Sequence, residues 1–87
     1  MMTEQKPAAT AAEAEELAKQ ACVDYINACS LDRRDQMPDY LMKLCSVAGV
    51  LMAHSAGSED AAQRLEGTAR FIRKTMPKAP AKLNPVQ

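Results

Sequence analysis

The sequence is short of large aromatic side chains: it contains no Trp, one Phe and two Tyr among its 87 residues. Apolar residues make up 47% of the chain, but 16 of them are Ala. A fully buried large side chain stabilises a fold by about 1.5–3 kcal/mol, and few such side chains are available here. Because a domain of about 60 residues is marginally stable alone, we expect one small domain that associates as a homodimer.

Long apolar runs and paired cysteines are also missing. The longest stretch without a charged or histidine side chain is the ten residues from Leu44 to Ala53, well short of the about 20 that a membrane span needs. The N-terminus lacks the basic and apolar regions of a secretory signal. Three cysteines, Cys22, Cys29 and Cys45, show no C-x-x-C spacing. We therefore expect a cytoplasmic protein without membrane contact and with reduced thiols, although a disulfide between subunits stays open.

No motif of a known catalytic chemistry is present. The sequence has no Gly-rich phosphate loop, metalloprotease motif or nucleophile elbow. Its one histidine, His54, falls at a predicted helix end, where a capping role is the simplest interpretation. A zinc site from His54 and the three cysteines would take ligands from two helices at spacings that structural zinc sites do not use. We therefore expect no enzymatic activity, no catalytic residues, no metal and no cofactor.

Three segments carry the apolar periodicity of helices. Apolar residues recur at three- and four-residue steps in helices of about residues 10–30, 38–56 and 58–76. The short connections favour antiparallel neighbours, so the expected fold is an all-α, antiparallel three-helix bundle over residues 10–76. The remaining segments, 1–9 and the Pro- and Lys-containing 77–87, are expected to be disordered or flexible tails.

Capping residues mark the ends of these helices. Thr10 followed by Glu13 predicts a capping box at the start of the first helix. Pro38 suits the first position of the second helix, since its missing N–H costs nothing there. Gly57 is expected to close that helix in the left-handed conformation, and Ser58 to cap the third helix.

The central helix is apolar nearly all round, which is typical of a buried helix. One face of it is expected to form the core: Leu41, Leu44, Cys45, Ala48, Leu51 and Met52. Two flanks are expected to contact a partner or a second subunit: Tyr40, Val47 and Val50 on one side, and Met42, Gly49 and Ala53 on the other. Small residues four apart, at Cys45, Gly49, Ala53 and Gly57, allow another helix to approach closely, either within the chain or between subunits.

Charge is unevenly distributed although the formal net charge is zero. Residues 1–32 carry six acidic and two basic side chains, whereas residues 64–87 carry six basic side chains and one acidic side chain. The acidic segment 1–32 can pair with the basic segment 64–87 of another subunit, or the basic segment can attract an anionic partner through Arg70, Arg73 and Lys74. A helix-turn-helix reader of DNA is disfavoured because Glu66 would face the phosphates.

These observations predict a protein that acts by binding. We expect a small helical regulatory protein that inhibits a regulator, such as a transcriptional regulator, by helix-in-groove contacts in the manner of an antiactivator. One alternative is a nucleic-acid-binding accessory protein that uses the basic third helix and tail. Another is a small chaperone or adaptor subunit.

Overall fold

The computed structural model describes residues 7–80, and this part of the chain is all-helical, with three helices and no strand. They are α1 (Ala11–Cys29), α2 (Met37–Ala56) and α3 (Ser58–Thr75), and a 3-10 turn (Arg34–Gln36) precedes α2. The three helices predicted from apolar periodicity are confirmed, with ends that agree within one residue. The expectations for residues 1–6 and 81–87 of the two tails lie outside the described residues.

The start of α1 is fixed by the predicted capping box, which is confirmed. Thr10 is the N-cap residue, and its hydroxyl oxygen accepts a hydrogen bond from the Glu13 backbone N–H at 3.2 Å. In return the Glu13 carboxylate accepts from the Thr10 backbone N–H at 2.9 Å. Two backbone donors that have no partner within the helix are thereby satisfied.

A short polar connection joins α1 to α2. Ser30 ends α1 in the left-handed conformation, with a φ of 53°. The side-chain carbonyl of Gln36 then accepts hydrogen bonds from the backbone N–H groups of Asp32 at 3.2 Å and Arg33 at 3.0 Å. These bonds hold the turn, so that α2 begins at once, one residue before Pro38.

Gly57 is the single residue between α2 and α3. Its φ of 97° and ψ of 156° place it outside the left-handed helical region, so the expected left-handed closure of α2 is wrong. Its N–H donates to the Ala53 carbonyl at 2.8 Å and its carbonyl accepts from the Ala61 N–H at 3.1 Å. The predicted Ser58 cap is also wrong, because Gly57 is itself the N-cap residue and makes no side-chain cap.

The chain divides into two compact units within α2, Met1–Leu44 and Cys45–Gln87. In the first unit the end of α1 packs on the start of α2. The Tyr25 hydroxyl donates to the Tyr40 carbonyl at 2.8 Å. Around this bond the larger side chains are half-buried, and none of the described residues of this unit is fully buried: Tyr25, Ile26, Leu31, Met37, Tyr40, Leu41 and Leu44.

The second unit joins the end of α2 to α3 by close approach. Gly49 and Ala61 are the only buried residues within 7–80. A Cβ atom placed on Gly49 would lie 3.1 Å from Cδ1 of Leu65, so the absence of a side chain lets α3 come this near. The sequence predicted that small residues on α2 let another helix approach closely, either within the chain or between subunits. At Gly49 the approaching helix belongs to the same chain.

None of the described helices is long and apolar enough to span a bilayer.

Candidate protein-binding surface

Three aliphatic side chains of α2 form an exposed apolar surface, called here the α2 patch: Val47, Val50 and Leu51. Their exposed fractions are 59%, 55% and 62%. The three residues share one side of the helix because they are spaced by three and four positions. Within the same unit, Gly49 on another side of α2 is buried against α3. Among residues 7–80 the α2 patch therefore stays more than half exposed.

The six residues predicted to contact a partner do not share one environment. Val47, Val50 and Met42 are more than half exposed and are available for contact. Gly49 is buried and Ala53 is half-buried in the second unit. Tyr40 is half-buried in the first unit, where its carbonyl accepts the Tyr25 hydrogen bond. The structure thus brings Val47 and Val50 together and uses Gly49 for packing inside the chain.

Leu51 was missed as a surface residue. The sequence places it with Ala48 on the expected core face of the central helix, but both are exposed, so that assignment is wrong for these two positions. Leu41, Leu44, Cys45 and Met52 of the same face are half-buried. The available signal was spacing: Leu51 follows Val47 by four residues, so the two side chains are neighbours on one side of the helix.

A second candidate surface is the basic end of α3. Arg70, Arg73 and Lys74 are exposed, and none of them makes an ion pair with another described residue. Phe71 lies among them and is also more than half exposed, which the sequence did not single out. Cations that make no ion pair are free to meet an anionic group, so these side chains remain candidates for anion contact.

Arg64, six residues before Arg70, differs from these three cations because it makes an ion pair. Its guanidinium donates to the Asp60 carboxylate, one helical turn earlier on α3. This hydrogen bond raises the pKa of Arg64 above its ordinary value. Because its charge is already compensated, Arg64 is a weaker candidate for anion contact than the three cations that follow.

The cysteines and the histidine are not gathered into one site. Cys22 is exposed, Cys29 and Cys45 are half-buried, and all three carry free thiols. His54 is exposed in the last turn of α2. Over residues 7–80 no group of three or more His, Cys, Asp or Glu side chains is close enough to hold a metal ion.

Compared with models of protein families, with curated proteins and with solved structures, the chain matches none.

Proposed function

We propose that this chain is a small regulatory protein that binds another protein through the α2 patch and thereby inhibits a regulator, in the manner of an antiactivator. The observation that supports this proposal is the joint exposure of Val47, Val50 and Leu51 on one side of α2. Aliphatic side chains at these spacings are the anchors that a helix presents to an apolar groove. Occupation of such a groove on a regulator would block whatever that groove normally binds.

The energy available to the α2 patch supports a contact of this kind. Complete burial of one aliphatic side chain contributes about 1.5–3 kcal/mol, and each of these is a little under half covered already. Three such side chains therefore offer a few kilocalories per mole. Binding also costs translational and rotational entropy, so additional contacts by polar side chains at the edge of the α2 patch would belong to the same interface.

The proposed molecule is an antiparallel three-helix bundle that forms a homodimer in the cytoplasm, as expected from the sequence. A bundle of so few large side chains would gain from a second subunit because a small core supplies little stability.

The test is affinity capture from the native host with the full chain as bait. Val47→Asp places a charge in the centre of the α2 patch and is expected to abolish capture of the regulator. Val23→Asp is the matched control, since Val23 is a similarly exposed valine on α1. The captured regulator, once purified, should lose activity on addition of the wild-type chain or Val23→Asp, and should keep it with Val47→Asp.

Two results would contradict this proposal. Equal capture by wild type and Val47→Asp would remove the α2 patch from the interaction. Capture without any loss of the regulator's activity would favour the alternative of a chaperone or adaptor subunit, in which case the captured protein's solubility or assembly should depend on Val47 instead.

A second candidate function is nucleic-acid binding by the end of α3. The observation that favours it is the exposure of Arg70, Arg73 and Lys74 without acidic partners among the described residues. Phosphate contacts by three cations would make the affinity fall steeply with salt. A gel shift with single- and double-stranded oligonucleotides tests this, and neutralisation of the three cations to Gln should remove the shift while Val47→Asp leaves it unchanged.

A further inference from the structure

We propose that two copies of this chain assemble through reciprocal packing of α1 of one copy against the C-terminal half of α3 of the other. The inference rests on the homodimer of the proposed function but not on the proposed binding of a regulator, because it uses α1 and α3 and leaves the α2 patch uncovered. The inference rests on two apolar helix faces. The face on α1 has mostly small side chains and acidic neighbours, and the face on α3 has large side chains and basic neighbours.

The α1 face consists of Ala14, Leu17, Ala18 and Ala21, which share one side of the helix at three- and four-residue steps. All four are exposed, and Leu17 is the most exposed large apolar side chain of the described residues, at 64%. Only near the end of α1, from Tyr25 onward, do side chains become half-buried in the first unit. The first three turns of this helix thus present an apolar side that the described part of the chain leaves exposed.

The α3 face consists of Phe71, Ile72 and Met76, each more than half exposed. Ile72 and Met76 continue the side of α3 on which Ala61 and Leu65 pack against α2 in the second unit. The packing side of α3 therefore extends about two turns beyond the part that is covered. Large side chains of this face fit the alanines of the α1 face, because alanines leave room for a neighbouring helix to approach.

The charges around the two faces favour pairing of the α1 face with the α3 face. Residues 11–24 carry four acidic side chains and one lysine, whereas residues 66–78 carry four basic side chains and one glutamate. Glu15 and Asp24 lie at the two edges of the α1 face. On α3, Lys74 follows Phe71 by three positions and Arg73 precedes Met76 by three, so each cation borders one of these apolar side chains. Opposite charge at the edges and opposite size at the centre make the two faces complementary.

A second copy is the partner that supplies both halves of this complementarity. Each copy carries one α1 face and one α3 face, so the proposed dimer makes the same contact twice, as isologous association requires. The burial of Gly49 against Leu65 of α3 withdraws this residue, on one of the two α2 flanks that the sequence suggested for dimerisation, from contact with a second copy.

The test is a charge exchange followed by sedimentation equilibrium. One variant carries Glu15→Lys and Asp24→Lys, and the other carries Arg73→Glu and Lys74→Glu. Wild type should be a dimer whose dissociation constant rises with salt. Each variant alone should dissociate at least about tenfold more readily, since like charges then oppose each other at both contacts. An equimolar mixture of the two variants should recover a dimer, and native mass spectrometry should show it to be the mixed species.

The mixture also guards against a trivial loss of folding, because recovery requires that both variants fold. Circular dichroism of each variant should match that of wild type, and the milder pair Glu15→Gln with Asp24→Asn should weaken the dimer by a smaller factor. A wild-type chain that stays monomeric, variants that dimerise as wild type does, or a mixture that fails to recover would each overturn the inference. Dissociation of the dimer by Val47→Asp would also overturn the inference, because the interface between the two copies would then lie on α2. Normal dimerisation of Val47→Asp would support the inference, and the proposed binding of a regulator is tested separately by the capture experiment.

Discussion

The two units of this chain join neighbouring helices in different ways. In the first unit large side chains meet while half-buried, and the Tyr25 hydroxyl donates to a carbonyl of the facing helix. In the second unit the contact depends on the absence of a side chain, because Leu65 lies against the backbone of Gly49 and Ala61 is buried beside it. The first kind of contact tolerates small changes of shape, whereas the second fixes the distance between two helices closely.

The same difference appears at the helix starts. α1 begins with a reciprocal capping box, in which the side chains of Thr10 and Glu13 satisfy backbone donors. α3 begins at Gly57, which has no side chain to offer and instead supplies a backbone conformation that other residues rarely adopt. Polar side chains thus define the first unit, while glycines define the second. Three substitutions test this contrast.

The largest effect is expected from Gly49→Leu. The new side chain would occupy the space of Leu65, whose Cδ1 would lie 3.1 Å from the added Cβ. Overpacking of this kind costs about 1–3 kcal/mol, and the better helix propensity of leucine returns less than about 1 kcal/mol. We expect a loss of about 2 kcal/mol in the free energy of unfolding, measured by urea denaturation followed by circular dichroism.

Gly67→Leu is the matched control for this substitution. Gly67 also lies inside a helix, α3, but a Cβ there would meet only the flexible end of Arg70 at 3.7 Å. This variant should be as stable as wild type or slightly more stable, since only helix propensity changes. If Gly49→Leu were equally harmless, the second unit would not depend on a close approach of its helices.

An intermediate effect is expected from Thr10→Ala. The substitution removes the acceptor of the Glu13 N–H, and loss of such a cap costs about 1 kcal/mol. The helicity of α1 should fall, as measured by faster amide hydrogen exchange in its first turn. Ser58→Ala is the control in the second unit, where the serine makes no cap and its loss should change little. Equal effects of the two variants would contradict the contrast between the helix starts.

The smallest effect is expected from Tyr25→Phe. The phenyl ring keeps most of the packing, so the loss is that of one partly exposed hydrogen bond and should be smaller than the loss in Thr10→Ala. Tyr40→Phe serves as the control, because the Tyr40 contact in this bond is its backbone carbonyl and not its hydroxyl. Urea denaturation should therefore separate the two variants, with Tyr25→Phe the less stable.

The pH dependence of this contact provides a second measurement. Partial burial, with smaller contributions from Cys29 and Tyr40, raises the pKa of Tyr25 above its ordinary value of about 10. The neutral phenol therefore stabilises the fold fully below about pH 10, and this contribution is lost as the pH rises through the folded-state pKa. In Tyr40→Phe, where Tyr25 is the only phenol, phenolate absorbance should titrate at higher pH in the folded chain than in urea. A folded midpoint at or below the unfolded one would show that the hydroxyl is not held.

Local signals made the helices predictable from the sequence. The Thr10 and Glu13 pair gave the start of α1 because a capping box involves residues only three positions apart. The site was predictable only in part. The sequence placed Val47 and Val50 on a flank of the central helix, and both are exposed. It assigned Leu51 to the core, since a helical wheel does not tell which side of an apolar helix its neighbours cover.

The amino-acid order alone determined that this chain forms three helices, because helix periodicity, capping and glycine breaks act between residues within one or two turns. Only the tertiary structure decided which apolar side chains stay exposed. The close approach at Gly49 and Leu65 joins residues sixteen positions apart. Such a contact depends on the angle and distance between helices, and these follow from packing of whole faces instead of from any local pattern.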